Sequence, residues 1–312
     1  MNPSTAPSTA PHSALLAVEH LTRYRYSRPV ELAHHLAYLQ PLRDAQQDVE
    51  SHELTITPTP HFRSGGCDRL GNERCVFTVD VAHAALQVHS RCRVRVRAPA
   101  TFDAAATASW EACRERLGYV AGGSFEPASE FVPHSPFVPA LAALLDWAGS
   151  DFKPGRPVAE VGIALMARLH AEFHYRSAST EIDTPLAEVL RRRQGVCQDF
   201  AHVLLGALRS RGLAARYVSG YLLTSSPEDG APGAPWLGAD ASHAWVALWC
   251  PMADGSDAHW LELDPTNNVL PATGHLRLAI GRDYGDVTPL RGVIRGGGEH
   301  RLEVRVRTER LE

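Results

Sequence analysis

The spacing of apolar residues changes once along this chain, and that change restricts the possible folds more than any other feature. Between residues 14 and 98 the text is a series of short runs of β-forming residues: "LLAVEHLTRYRYS", "ELAHHLAYLQP", "SHELTITPTP", "RCVFTVDV" and "ALQVHSRCRVRVRA". Breaks rich in Pro, Gly and Asn separate them, and "DRLGNE" has the chemistry of a hairpin connection. Strand-length runs at regular turn spacing predict an all-β, sandwich-like domain over 14–98. The Ser/Thr/Pro/Ala-rich residues 1–13 are expected to form a disordered tail.

Beyond residue 99 the pattern becomes helical. "ATFDAAATASWEACRERLGYV" is Ala-rich, and "FEPASEFVPHSPFVPA" leads into "LAALLDWAGSDF" and "VAEVGIALMARLHAEFHYR". A helical, proline-punctuated connecting region is expected over 99–159, followed by a second domain over 160–312. That domain opens with helices and ends in the strands "ARYVSGYLL", "SHAWVALWC" and "HWLELDPT", with "HRLEVRVRTER" as a last strand. Helices followed by an antiparallel sheet make the fold class α+β.

The formal net charge of −4 gives no general pull toward nucleic acid or anionic membrane. No segment approaches the roughly 20 apolar residues of a membrane span. "MNPSTAPSTAPHSALLAVEH" lacks the basic region of a secretory leader, so a cytoplasmic protein with free thiols at Cys67, Cys75, Cys92, Cys113, Cys197 and Cys250 is expected. His170 and His174 have the helical spacing of a zinc pair, but Glu172 does not directly follow the first histidine. No metal and no cofactor are expected. Arg91, Arg93, Arg95 and Arg97 alternate, as do Arg305 and Arg307, which predicts solvated basic sheet faces.

Chemistry concentrates in "RRRQGVCQDFAHVLLGALRSRGL". After Gly195, the residues Phe200, Val203, Leu204, Ala207 and Leu208 form one helical stripe that must be buried, and Gly212 ends the helix. Cys197 therefore falls in or near the first turn, beside unpaired backbone N–H groups and the positive end of the helix dipole. Such a position favours thiolate and offers donors for an oxyanion. Free cysteine is also among the most buried residue types, so position alone leaves packing and catalysis both open.

Downstream, "SHAWVALWCPMADGSDAHWLELDPTNN" reads as two strands around a short polar connection. A hairpin with Cys250 opposite His259 puts His243 across from Thr266, within two positions of Asp264. Cross-strand neighbours lie about 5.5 Å apart, or about 7–8 Å on the diagonal. Nucleophile, base and base-orienting carboxylate are thus available in Cys197, His243 and Asp264. Trp245, on the strand face of His243, is expected in the core or cleft wall. Asp199 is expected to be structural, bonding a neighbouring strand or loop.

"GVCQDFAHVLLGALRSRGLAARYVSGYL", "SHAWVALW" and "WLELDPTNN" together resemble the transglutaminase-like superfamily in its bacterial form, over roughly residues 160 to 270. The β-rich 14–98 region resembles the N-terminal domain that accompanies it. The resemblance implies a papain-like core with Cys197 as nucleophile, His243 as general base and Asp264 as its partner, and chemistry independent of calcium. Animal members place tryptophan after the cysteine and another at the oxyanion site. Here Gln198 follows, and Tyr175 in "FHYRSAST" is the expected substitute donor. Trp236, inside the Pro/Gly-rich stretch 224–240, is a candidate for covering the cleft. The expected activity is attack on an amide of a peptide or protein substrate through a cysteinyl thioester, resolved by water or an amine. Dedicated acyl transfer to amines, acetyl transfer from a thioester donor and a non-catalytic binding module remain as alternatives. Neither nucleic acid nor membrane is an expected partner, and the oligomeric state stays open.

Overall fold

The computed structural model describes residues 12–100, 103–177, 183–223 and 242–312. The tail expected over 1–13 lies outside these residues except for its last two, and Ser13 already opens β1 (Ser13–Ala37). Next come β2 (Gln47–Thr57), β3 (Phe62–Cys67), β4 (Glu73–Val79) and β5 (His83–Arg97), so the strand-rich expectation for this region holds. Along the first half of β1, Val18, His20 and Thr22 are buried while Ala17, Glu19, Leu21 and Arg23 are not, the period of two that a one-sided sheet imposes. The strand then changes partners. Through Arg25, and after a bulge again at Val30, it pairs with β5, and from Ala33 it pairs with β4. The two halves enclose a core of Val30, Ala33, Ile56, Phe77, Leu86 and Val88, so a single antiparallel sheet supplies the sandwich-like packing.

Among its described residues the connecting region holds two short α-helices, α1 (Trp110–Arg116) and α2 (Ala142–Ala148), with three brief 3-10 turns beside them. The second unit follows with α3 (Val158–Glu172), β6 (His174–Tyr175), α4 (Leu186–Arg192), β7 (Gln194–Gly195) and α5 (Cys197–Arg209). The strands β8 (Ala215–Leu222), β9 (His243–Cys250), β10 (His259–Leu263) and β11 (His275–Gly281) form an antiparallel sheet in the order β10-β9-β8-β11. α5 packs on β8 and β9 and is flanked by α2, α3 and α4. Its apolar stripe is buried as expected, and so is the opposite side from Asp199 to Arg209. The polar residues that made this helix look amphipathic are internally bonded. Arg209 donates to the carbonyls of Ala215 and Arg282, and His202 Nε2 accepts the Tyr284 N–H at 3.2 Å.

The end of the chain departs from the sequence expectation. Residues 290–310 form β12 (Leu290–Gly296) and β13 (His300–Arg310), and both pair antiparallel with β1. The last strand therefore completes the N-terminal sheet and not the 160–312 domain. Its alternation announces a strand, but only the tertiary fold selects which open edge it fills. On β5 the arginine stripe is interleaved with acids: Arg91 faces Glu53 at 3.6 Å, and Arg95 contacts Glu50 at 2.9 Å and Glu312 at 3.2 Å. This is the solvated face expected. Among the described residues no helix is long and apolar enough to cross a membrane.

The two units are joined at the free edge of β11. Gln47 accepts the Arg277 N–H and donates to the Arg277 carbonyl; Asn72 does the same at Ile280, at 2.7 and 2.8 Å. Side-chain amides thus stand in for a missing neighbouring strand. Asn72→Ala should orphan two buried backbone groups and lower stability by about 2–4 kcal/mol, read from urea unfolding followed by circular dichroism. A loss under about 0.5 kcal/mol would show that the edge is held some other way.

Candidate active site

The position of Cys197 is set by the segment before it. α4 ends on Arg193 in the left-handed region (φ 51), where Nη1 of that side chain pairs with Glu172 at 2.9 Å. The chain then runs as β7 parallel to β6, with Gln194 beside His174 and Gly195 beside Tyr175. A side chain at 195 would strike the Asp199 carboxylate, 2.5 Å from an added Cβ, so glycine is required there. Asp199 accepts the Val196 N–H at 2.8 Å, just ahead of the helix, and so caps α5 from the third position. Cys197 is the first residue of α5 and partly exposed; its N–H has no carbonyl within the helix to bond. Its sulfur lies 3.9 Å from the Ser242 carbonyl, directly before His243.

The hairpin register is the one the sequence implied, with Cys250 opposite His259 and Leu263 opposite Val246. β10 stops at Leu263, short of the 266 expected, because the chain turns over 265–268 and Asp264 bridges back to Val269. His243 Nε2 donates to Asp264 Oδ2 at 3.0 Å, and both residues are fully buried. Among the described residues the other ring nitrogen, Nδ1, has no hydrogen-bond partner at conventional geometry, yet the Cys197 sulfur is near enough to act on the ring. Trp245 packs behind, its ring 6.1 Å from that of His243 and its Nε1 donating to Glu262 at 3.0 Å.

Asp264 is held from every side. Oδ1 accepts the N–H groups of Thr266 and Asn267; Oδ2 accepts His243, the Asn267 amide at 2.8 Å and His275 Nε2 at 3.2 Å. Burial works against its charge, but the His243 and His275 rings outweigh burial and hold the carboxyl far below the usual range. Burial likewise opposes a charged His243. The Asp264 carboxylate and the Cys197 sulfur prevail, raising its pKa from 6.5 to about 10. An imidazolium at His243, beside the Cys197 sulfur, is the charge state this favours.

Because the folded-state pKa of His243 is raised, its contribution to stability is complete below 6.5 and disappears as the pH climbs through about 10. The stability gap between wild type and His243→Gln, measured by urea unfolding, should therefore shrink by a few kcal/mol between about pH 6 and about pH 10.5. A gap that stays constant over this span would contradict the charge assignment.

The structure brings Cys197, His243 and Asp264 together. Tyr175 sits two residues from Cys197 across the short β6–β7 pairing, its ring 6.5 Å from Phe200, and Gln198 is half-buried in the first turn of α5. Trp236 lies outside the described residues. His170 bonds the Thr266 carbonyl at 3.0 Å, while His174 sits beyond the end of α3 in β6, so the two do not share a helix face. Sequence reasoning missed His275 and Asn267. Asn267 was discoverable only through its place in the Asp-Pro turn, whose backbone N–H groups the Asp264 side chain accepts. His275 carries no such local signal.

A thiol at a helix start, an imidazole at the start of the adjoining strand and a buried carboxylate behind it, on an α+β scaffold, define the class of papain-like, cysteine-centred proteins. Comparison with known proteins narrows this. Residues 16–95 match the bacterial transglutaminase-like N-terminal region, and residues 152–265 match the transglutaminase-like superfamily. An uncharacterized protein of Mycobacterium bovis is 40% identical over 287 residues, 91% of this chain and 88% of its own. Another, from Mycobacterium leprae, is 30% identical over 297 residues, covering 95% and 99%. The crystal structure of a candidate cysteine protease from Cytophaga hutchinsonii shares the fold, with a TM-score of 0.71, 18% identity and coverage of 97% and 92%. The chain belongs to the transglutaminase-like superfamily.

Proposed function

We propose that this protein is a thiol-dependent amide-bond enzyme that works through a cysteinyl thioester, hydrolysing or exchanging peptide or isopeptide bonds. The observation that carries the reading is His243, poised between the partly exposed Cys197 sulfur and the buried Asp264 carboxylate. Cys197 thiolate attacks the carbonyl carbon, and the oxyanion is held by the N–H of Cys197 and by the Tyr175 hydroxyl. As the C–N bond breaks, His243 gives its Nδ1 proton to the leaving amine, and Asp264 keeps the ring oriented. Water, or a second amine, then gives a proton to His243 while attacking the thioester. Thiolate departs, and the acid or the exchanged amide is released. Gln198 lines the approach to the sulfur. The unpaired cysteines fit a reducing, cytoplasmic place of action.

The other thiols make a direct test possible. Burial pushes those of Cys92 and Cys113 up to about 12, and a hydrogen bond to Glu73 raises that of Cys67. A library of electrophilic peptides should therefore acylate or alkylate Cys197 first, located by mass spectrometry, and leave Cys197→Ala unlabelled. Labelling of Cys197 no faster than of Cys67 or Cys75 would end the enzyme reading and favour a binding module. Chase of the trapped thioester with water or a labelled amine separates hydrolysis from transfer.

A further inference from the structure

Tyr217 packs its ring 5.3 Å from His202 on α5, so the alternating residues Arg216 and Val218 of β8 face the other way. On that far side, between the two units, lies a cavity of about 600 Å³. Neither Cys197 nor His243 lines it. Its walls bring together three arginines, Arg97, Arg216 and Arg277, and two carboxylates, Asp44 and Glu262. Both carboxylates are committed to Arg277, at 2.9 and 3.2 Å. Among the described residues Arg97 and Arg216 form no ion pair. Arg97 reaches only the Ala45 carbonyl, at 3.4 Å. The Arg216 guanidinium lies over Trp260, 4.2 Å from the ring centre, with Nε buried and, among the described residues, lacking a hydrogen-bond partner. Withdrawing such a group from water without an acceptor is costly unless something else supplies the anion.

The charges fix what that anion can be. In a wall that also holds His259 and His275, three arginines against two carboxylates leave one positive charge among the permanently charged side chains, which a single carboxylate balances and a phosphate dianion exceeds. The rest of the wall includes Leu261, Leu270 and Pro271, suited to an apolar body, and the volume is that of a small-molecule site. We propose that this cavity binds a small organic monocarboxylate, its carboxylate taken by Arg97 and Arg216 and its apolar part laid against Leu261, Leu270 and Pro271.

The proposal goes beyond the amide-bond reading and is tested apart from it. Benzoate is titrated calorimetrically into the full chain at constant ionic strength, with neutral benzamide as the isosteric control. Saturable benzoate binding is expected in wild type and equally in Cys197→Ala, with benzamide at least roughly tenfold weaker. Arg216→Gln and Arg97→Gln should each weaken benzoate by roughly tenfold or more. Arg97 is exposed, so its variant keeps the test alive if Arg216→Gln fails to fold. No saturable binding up to about 10 mM (a free energy near −3 kcal/mol), or benzoate held equally well by Arg97→Gln or no better than benzamide, would overturn the site.

Discussion

Replacing Asp264 by asparagine is expected to lower turnover roughly 10⁴-fold while leaving Cys197 and His243 in place. Five donors converge on this carboxylate: two backbone N–H groups, the Asn267 amide, and the rings of His243 and His275. A carboxamide offers one acceptor oxygen where there were two, turns an N–H group toward donors, and carries no charge. Burial then dominates at His243, whose imidazolium depends on the carboxylate, and the Cys197 proton has no base of adequate strength to move to. Turnover of the peptide identified by trapping, and the rate of Cys197 alkylation by iodoacetamide near neutral pH, should fall together. His275→Leu removes one donor and keeps the charge; it should cost about tenfold and shift the acid limb of the pH–rate profile. Were His275 only structural, thermal stability would drop with the profile unmoved. Turnover within about tenfold of wild type in Asp264→Asn would remove the pair from the mechanism.

Gly220→Ala should destabilise the protein by about 3 kcal/mol or more. Gly220 pairs with His243 on one side and Arg277 on the other, in an inner strand of the second sheet. An added Cβ would collide with the Leu276 carbonyl oxygen and with the Trp245 ring. The first belongs to the backbone of the paired strand β11, and the second is fully buried and tied to Glu262. Neither can retreat without opening the sheet or pushing Trp245 into His243. Gly66→Ala is the control, because no atom lies within 4 Å of its added Cβ. Urea midpoints should separate the two variants clearly. Equal midpoints would mean that the sheet yields where its geometry says it cannot.

Much of the site was legible because its parts follow from local rules. The stripe after Gly195 placed Cys197 at a helix start, where only backbone N–H groups precede it. The Cys250–His259 register followed from two apolar runs around a short turn, and a one-residue slip would have reversed every side chain. That register alone carried His243 to Asp264. Where local rules end, the reading thinned. α5 looked amphipathic, yet it is enclosed on every side, because its polar residues find partners on the 282–284 segment and the start of β8. β11 lies beside β8, on the far side of the sheet from β10, so nothing in the spacing of Asp264 and His275 discloses their hydrogen bond.

By itself the sequence determined the strand-rich and helical halves, the helix that presents Cys197, and the hairpin that pairs an imidazole with a carboxylate. These depend on period and turn chemistry, which act over a few residues. Only the tertiary structure decided that β12 and β13 complete the first sheet, that Gln47 and Asn72 seal the edge of β11, and that His275 joins the bonds around Asp264. Each of those choices satisfies a buried polar group or an open strand edge, a demand that arises only once distant segments have packed together.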